Sequence, residues 1–271
     1  MRYINLLFCL VCNVFLFQSA DAQTATSARY QQAFESILKQ HQLAGSISIL
    51  DAQKDSLYTN NVKALDQGHL PASTFKIPNS IIALETGVMK DENTILLWDG
   101  EPRSNINWEK DLTLQQAFRL SCVPCYQQIA KSVGVARMQE KLTTIGYPKI
   151  NINEDNLTKF WLVGEAKITP RQQIKFLREF FERKMSISDN TYQTMLRIME
   201  IENTSTHTFS GKTGWSTDHG DNGWFVGYLM RGKDMYYFAI NVEPKDPDAL
   251  EQFLTDRERV AREALATMQL L

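Results

Sequence analysis

The sequence predicts an α+β fold, because strand-like segments lie near both ends of the chain and helix-like segments fill its middle. Residues 44–53 ("AGSISILDAQ") and 56–61 ("SLYTNN") are rich in β-formers and predict a short hairpin. After residue 205, the segments "THTFSGKTGW", "GWFVGYLMRG" and "DMYYFAINVE" are strand-like and separated by turn residues. We therefore expect one antiparallel sheet built from both chain ends, with a helical lobe inserted between its halves.

The middle of the chain has helical periodicity, with Asp, Ser or Thr at the starts and Pro near the first turns. The helical segments are "DLTLQQAFRL", "PCYQQIAKSVG", "VARMQEKLTTIG", "TPRQQIKFLREFFERK" and "SDNTYQTMLRIMEI", and a long amphipathic helix follows residue 247. This pattern predicts one domain over 23–271, with a sheet lobe at about 23–72 and 202–271 and a helical lobe at about 73–201. A catalytic groove is expected between the two lobes.

The first 22 residues have the layout of a secretory signal peptide. Arg2 precedes an apolar run over residues 4–17, and an A-x-A motif ends at Ala22. The run is too short and wrongly flanked for a stable membrane span. A lipoprotein site at Cys12 is disfavoured because bulky Val11 precedes it. We expect cleavage after Ala22 and export of the remaining chain across the inner membrane to the periplasm.

Charge and motif content exclude several function classes. The formal net charge is −2 and no basic block occurs, which argues against nucleic-acid and anionic-membrane partners. The four histidines (41, 69, 207 and 219) lack metal-ligand spacing, so no metal site is expected. Neither a G-x-S-x-G elbow nor a G-x-G-x-x-G loop is present, which disfavours α/β-hydrolase and dinucleotide-binding functions.

Two cysteines lie beyond the signal segment, in "SCVPCYQQIA". Cys122 and Cys125 form a C-x-x-C pattern at a helix start, where thiol pKa values fall and redox chemistry is favoured. A redox motif is expected after a strand, whereas the preceding segment here is helical. The pattern therefore indicates either simple packing or a local disulfide, and both remain open at this point.

The segment "PASTFKIPNS", residues 71–80, opens a predicted helix and holds a candidate nucleophile. Ser73 and Lys76 are three residues apart, so both lie on one helix face. A second S-x-x-K occurs at Ser36 and Lys39, but it lies in an amphipathic segment where both side chains are expected to face water. The apolar surroundings of Ser73 favour it as the functional serine.

Three short segments together carry a more specific signal. Ser73 to Lys76 opens a helix, Ser121 to Val123 lies in a helix–helix turn, and Lys212 to Gly214 lies on a strand. In this order they match the motif set of penicillin-recognising serine enzymes. With "WDG", "KFWL" and "KTGW", the chain resembles the class D (oxacillinase-type) serine β-lactamases. The resemblance implies the serine β-lactamase and penicillin-binding-protein fold, and Val123 in place of Asn is its class D mark.

The resemblance implies a mechanism for hydrolysis of the β-lactam amide. Ser73 would form an acyl-enzyme, with Lys76 as general base for acylation and deacylation. In the family this lysine is N-carboxylated, so carbon dioxide or bicarbonate is required and no bound cofactor is implied. Trp161 would hold the carbamate, and the apolar Leu162 would help to lower the pKa of Lys76. The implied partners are a small β-lactam substrate and a catalytic water.

The remaining site residues are also implied by the resemblance. Ser121 would carry a proton between Ser73 and the leaving nitrogen. The backbone N–H groups of Ser73 and Trp215 would form the oxyanion hole. The expected substrate-binding residues are Val123, Leu162, Lys212, Thr213, Gly214 and Arg257. Arg259 and Arg262 compete with Arg257 for the role of carboxylate-binding arginine.

The chain departs from the family at Ile145-Gly146-Tyr147, where Tyr-Gly-Asn is usual. An aromatic wall is expected to be missing there unless Tyr147 replaces it. The alternative function is a β-lactam sensor or penicillin-binding protein that is acylated once and not hydrolysed. A cell-wall D,D-peptidase is disfavoured by Val123.

Overall fold

The computed structural model describes residues 25–218 and 220–271, so the predicted signal peptide and His219 lie outside the described residues. Both chain ends contribute to a six-stranded antiparallel sheet of order β2-β1-β8-β7-β6-β5. The strands are β1 (Leu43–Asp51), β2 (Ser56–Thr59), β5 (Glu200–Asn203), β6 (Thr208–Ser216), β7 (Asn222–Arg231) and β8 (Asp234–Pro244). The predicted α+β fold is confirmed, including the hairpin of β1 and β2.

Helices cover both faces of this sheet. The helices are α1 (25–40), α2 (Lys76–Glu85), α3 (Leu114–Arg119), α4 (Val123–Val133), α5 (Val135–Thr144), α6 (Pro170–Phe181), α7 (Asp189–Met199) and α8 (Leu250–Thr267). One hydrophobic cluster joins α1 and α8 to the sheet, and a second joins the sheet to α2–α7. Within the described residues, no helix is long and apolar enough to cross a bilayer.

The central strand β7 shows why the sheet segments are continuously apolar. Phe225 and Leu229 point to the cluster under α1 and α8, whereas Trp224, Val226 and Tyr228 point to the cluster under the helical lobe. Because side chains alternate between the two faces, a strand covered on both faces needs apolar residues at almost every position. The sheet therefore provides a rigid platform for residues on its helical-lobe face.

Side-chain caps determine where three of the helices begin. Thr113 and Thr169 each form a capping box, with Gln116 and Gln172 respectively, and Ser188 caps α7. Each cap satisfies backbone N–H groups that the first helical turn leaves without partners. The helix starts predicted at Thr169 and Ser188 are confirmed.

Three local features differ from the sequence prediction. The helix predicted to open at Ser73 is first a 3-10 helix, Ala72–Phe75, and becomes α-helical at Lys76. The helical pattern predicted through Ile201 ends at Met199, because Glu200 is extended and begins β5, which pairs with β6. A two-stranded sheet of β3 (Ile95–Leu96) and β4 (Leu112–Thr113) lies in the helical lobe. The helix predicted to start at Asp111 therefore begins only at Leu114, because Leu112 and Thr113 pair with β3.

Candidate active site

Ser73 and Lys76 meet at the junction between the 3-10 helix and α2. The Lys76 ammonium nitrogen donates to the Ser73 hydroxyl oxygen at 2.9 Å. The turn is anchored by Thr74, whose hydroxyl donates to the Pro71 carbonyl at 2.6 Å and accepts from the Gln173 amide at 2.8 Å. The three-residue spacing therefore does bring the two side chains into contact. At Ser36 and Lys39, by contrast, both residues are exposed as predicted.

Lys76 is buried in the core and is only 1% exposed. Its Nζ lies 5.1 Å from the centre of the Tyr126 ring, and Phe75 beside it is completely buried. Burial, followed by repulsion from Lys212, lowers the pKa of Lys76 well below its usual 10.5. This lowering increases the neutral fraction of the amine, which is the form that can accept a proton.

Trp161 lies in the same aromatic cluster and has an unsatisfied donor. Its ring stacks on Phe75 with centroids 5.5 Å apart, and its carbonyl accepts from the Ala72 backbone N–H at 2.8 Å. Its indole N–H is buried and has no hydrogen-bond partner among the described residues. A buried donor without a partner lowers the stability of the fold by about 1–3 kcal/mol. A group that brings a hydrogen-bond acceptor to this N–H would therefore be favoured. Leu162 is half-buried and packs against the same cluster.

Ser121 and Val123 lie in the turn between α3 and α4, and both are half-buried. Ser121 has a φ of 53°, and Val123 is the first residue of α4. Helix α4 is tied to α2 by a 2.7 Å hydrogen bond between the hydroxyls of Ser80 and Tyr126. Among the described residues, the Ser121 hydroxyl makes no direct hydrogen bond to Ser73 or Lys76.

The C-x-x-C pattern is a local disulfide. Cys122 and Cys125 are joined, with Cα atoms 5.4 Å apart. Cys122 is fully buried in the core under the helical lobe, whereas Cys125 is half-buried. The structure therefore decides between the two alternatives that the sequence left open.

Lys212 lies near the centre of β6 and is 4% exposed. Its Nζ donates to the Thr213 carbonyl at 3.1 Å and to the Thr213 hydroxyl at 3.3 Å, and it lies 5.6 Å from the Phe118 ring centre. Burial and the nearby Arg257 guanidinium lower the pKa of Lys212 to about 7. A half-buried Thr213 hydroxyl and a buried cation thus lie side by side on this strand.

Gly214 brings β6 into close contact with the turn that carries Ser73. A Cβ atom at this position would lie 3.1 Å from Thr74 Cγ2 and 3.2 Å from the Pro71 carbonyl oxygen. The absence of a side chain therefore permits the close approach. The next residue, Trp215, is 36% exposed and its indole N–H donates to Asp221 at 2.8 Å. Trp215 directly follows Gly214 on β6, the residue that contacts the Ser73 turn.

Of the three candidate arginines on α8, only Arg257 is buried against β6. It is 7% exposed, and its guanidinium donates to the carbonyls of Gly214 and Leu254. Burial lowers the pKa of Arg257 to about 10. Arg259 pairs with Asp256, and Arg262 pairs with glutamates on β5 and α8.

Ile145 and Tyr147 are both buried in the helical lobe. The Tyr147 ring meets Phe75 edge-on with centroids 5.6 Å apart, and its hydroxyl is buried without a partner among the described residues. Tyr147 therefore does supply an aromatic contact to the ring next to Lys76, but it packs in the core behind Phe75.

Two aromatic residues of this site were not predicted from the sequence. Tyr126 covers Lys76 and Phe118 covers Lys212. Tyr126 lies one helical turn after Val123, so a search for aromatic residues three positions beyond the Ser121 motif would have found it. Phe118 belongs to the helix before that motif, and only the packing of α3 against the sheet places it beside Lys212.

Comparisons with known proteins agree with this geometry. A family model described as the penicillin binding protein transpeptidase domain matches residues 23–266. Beta-lactamase OXA-48 of Klebsiella pneumoniae is 35% identical over 240 residues, covering 88% of this chain and 90% of the relative. The chain belongs to the class D β-lactamases.

Solved class D β-lactamases have the same fold. A crystal structure of the class D β-lactamase YbXI from Nostoc has a TM-score of 0.83 and 37% identity, covering 88% of this chain and 99% of that one. FUS-1 (OXA-85) from Fusobacterium nucleatum subsp. polymorphum has a TM-score of 0.82 and 31% identity, covering 89% and 98%. The serine β-lactamase and penicillin-binding-protein fold expected from the motifs is therefore confirmed.

Proposed function

We propose that this class D β-lactamase hydrolyses the amide bond of penicillin-type β-lactams through an acyl-enzyme on Ser73, and so confers β-lactam resistance. One observation carries the mechanism: the buried Lys76 amine touches the Ser73 hydroxyl at 2.9 Å. The Trp161 indole N–H, which is buried and has no hydrogen-bond partner among the described residues, is proposed to complete this site. A serine hydroxyl needs an adjacent base to become a nucleophile. The lowered pKa of Lys76 increases the fraction of its neutral amine, which is the form that can act as a base.

The residues around Lys76 fit N-carboxylation of its amine. A neutral amine is required for addition to carbon dioxide, and burial favours that form. The orphaned Trp161 indole N–H is a donor for the added carboxylate. The modification supplies an anionic base that could serve both acylation and deacylation. The aromatic rings of Phe75 and Tyr126 exclude bulk water from the modified side chain.

The other residues are assigned roles by their positions. We assign Ser121 the transfer of a proton to the leaving nitrogen, since it lies in the turn that precedes α4. Lys212 and Thr213 on β6, with Arg257 of α8 bonded to the carbonyl of Gly214 on the same strand, supply cationic and hydroxyl groups suited to the substrate carboxylate. The backbone N–H groups of Ser73 and Trp215 are proposed as the oxyanion hole, a pair worth roughly 2.7–4 kcal/mol per donor.

Export supports a role in resistance. The pattern of residues 1–22 favours removal of a signal peptide and delivery of the enzyme to the periplasm. A β-lactamase in that compartment meets the antibiotic before it reaches the cell-wall enzymes. Trimming of the purified periplasmic protein to residue 23, measured by intact mass, is the expected result, and a retained N-terminus would contradict export by cleavage.

The function is tested by hydrolysis of a chromogenic β-lactam in large molar excess with bicarbonate present. We expect many turnovers per enzyme, and Ser73→Ala should abolish them while leaving the melting temperature nearly unchanged. Ser36→Ala is the matched control, since that serine precedes the exposed Lys39 in the second S-x-x-K. A burst of one equivalent without turnover would instead identify a sensor or a penicillin-binding protein that remains acylated.

A further inference from the structure

The turn that carries Ser121 closes the end of α3 in a strained conformation. The Ser121 N–H bonds to the Phe118 carbonyl at 3.1 Å, and the Cys122 N–H bonds to the Ala117 carbonyl at 2.9 Å. This pair of bonds forms a Schellman closure, in which the residue at the Ser121 position is left-handed and is usually glycine. Ser121 has a φ of 53° there, so its backbone is in the left-handed conformation, which serine disfavours on its own.

Cys122 then begins the next helix immediately. Its sulfur accepts the Cys125 backbone N–H at 3.2 Å as the cap of α4, and its carbonyl accepts the Tyr126 N–H at 3.3 Å. Sulfur is a weak acceptor compared with the oxygen of a usual cap. The covalent bond to Cys125 therefore restrains a turn that the hydrogen bond alone would hold weakly.

The position of this disulfide indicates a local role. It encloses only Val123 and Pro124 between its cysteines, so it constrains little of the unfolded chain and adds little to global stability through chain entropy. The restrained turn lies between Ser121 and Tyr126, whose ring covers the Lys76 amine. Loosening it would thus disturb the Ser121 side chain and the cover of Lys76 together.

We propose that the Cys122–Cys125 disulfide is a positioning element of the active site, which stiffens the turn directly after Ser121 and makes turnover depend on the thiol–disulfide state. It adds to the backbone hydrogen bonds that give Ser121 its left-handed conformation. This inference rests on the proposed function, in which Ser121 transfers a proton. Reduction needs a dithiol. One of its thiolates attacks the half-buried Cys125 sulfur, the S–S bond breaks, and Cys122 leaves as a thiolate that takes a proton.

The second thiol of the reductant completes the exchange. It attacks the mixed disulfide, which releases Cys125 as a thiol and leaves the reductant as its own disulfide. Two electrons and two protons thus pass from the dithiol to the protein. The reduced turn keeps its backbone hydrogen bonds but loses the covalent restraint directly after Ser121, so the protein remains folded and the chemical step becomes slower.

The test compares kcat and KM for a chromogenic β-lactam before and after treatment with a dithiol reductant, with thiols counted to confirm reduction. We expect kcat to fall about 10-fold, KM to stay within about twofold, and kcat to recover on reoxidation. The melting temperature should shift by only a few degrees. Complete reduction without a change in kcat would overturn the inference.

Cys125→Ala is the matched control for the reductant. It removes the disulfide but leaves Cys122, so its kcat should equal that of the reduced enzyme and should not respond to the dithiol. If this variant does not fold, chemical reduction alone decides the question. A fall in kcat together with a large change in KM and a large drop in melting temperature would show a general structural role and contradict the inference. An oxidised enzyme that shows no turnover would instead contradict the proposed function.

Discussion

Three basic side chains lie near one another: Arg257 of α8, Lys212 of β6, and Lys76, which contacts Ser73. The charge of one affects the pKa of the next. Arg257 lowers the pKa of Lys212, and Lys212 lowers the pKa of Lys76, in addition to the larger effect of burial on both lysines. Lys76 gains the neutral form needed of a base. Lys212 retains enough positive charge near neutral pH to attract an anion. Neighbouring buried lysines thus support two different tasks in one site.

Replacement of Lys212 tests how much the burial of this basic side chain lowers the free energy of unfolding. Between its folded pKa of about 7 and its ordinary 10.5, only the unfolded chain binds the proton, so the free energy of unfolding rises with pH across this window. Lys212→Met should raise the free energy of unfolding at pH 6 by about 0.5–2 kcal/mol. The gain should shrink at pH 9.5, and hydrolysis should be lost. Urea denaturation of both proteins at pH 6 and pH 9.5 measures the free energy of unfolding. An equal stability gain at the two pH values would contradict the lowered pKa of Lys212.

Replacement of Trp161 tests the proposed carbamate. Trp161→Phe retains an aromatic ring against Phe75 but removes the orphaned N–H. We expect kcat to require a higher bicarbonate concentration and the carbon-13 signal of a labelled carbamate to weaken. Trp224→Phe is the control, because that buried indole already donates to the Leu70 carbonyl. An unchanged bicarbonate dependence in Trp161→Phe would argue against its role as carbamate donor.

At the scale of elements, the proposed mechanism depends on the contact between strand β6 and the 3-10 helix Ala72–Phe75. The strand brings Lys212 and Thr213, and the helix brings Ser73. Gly214 permits their approach, because a Cβ atom there would lie within 3.1–3.3 Å of Thr74 and Pro71. The distance between Ser73, the proposed nucleophile, and β6, the proposed substrate-binding strand, is therefore set by backbone packing.

Gly214→Ala tests this contact. The added methyl group should push β6 away from the Ser73 turn and lower kcat/KM about 10- to 100-fold, with a small change in melting temperature. Acylation rates measured by stopped flow with a fluorescent penicillin check the prediction. Thr208→Ala, at the opposite end of the same strand, serves as the control and should acylate at the normal rate. Normal acylation in Gly214→Ala would show that the spacing is not critical.

The whole molecule consists of two cores on opposite faces of one sheet. The cluster under α2–α7 contains the catalytic turn, whereas the cluster under α1 and α8 supports the sheet from behind. His41, just after α1, bonds to Asp256 at 2.9 Å and to Glu263 at 2.9 Å, both on α8. Asp256 directly precedes Arg257, so this ion-pair cluster helps to fix the helix that supports the strand β6.

His41→Asn tests this support through its pH dependence. Burial alone lowers the pKa of His41, but the bonds to Asp256 and Glu263 outweigh burial and raise it above 6.5. Its stabilising charge is therefore present below pH 6.5 and is lost as the pH rises through the folded pKa. The variant should be destabilised by about 1–3 kcal/mol at pH 5.5 and by less at pH 8.5. Equal losses in thermal melts at both pH values would contradict a charged His41.

The amount of the site that could be predicted differs from residue to residue. The spacing alone predicted that Ser73 contacts Lys76, because residues three positions apart lie on the same face of a helix. The strand β5 was missed because "EIEN" continues the helical pattern of α7 and becomes extended only through pairing with β6. The resemblance favoured Arg257 over Arg259 and Arg262, but periodicity could not separate three arginines on one helix, and only packing shows that Arg257 is the buried one.

Local patterns of the sequence by themselves determined the strands β1, β2, β6, β7 and β8, most helices, the three motifs and the resemblance to class D enzymes. These features depend on neighbours within a few positions along the chain, so periodicity and spacing suffice. Tertiary packing alone decided that Trp161 has an unpartnered donor, that Tyr126 and Phe118 cover the two lysines, and that Cys122 is bonded to Cys125. Burial and pKa depend on groups that are distant in sequence, and the folded chain alone brings those groups together.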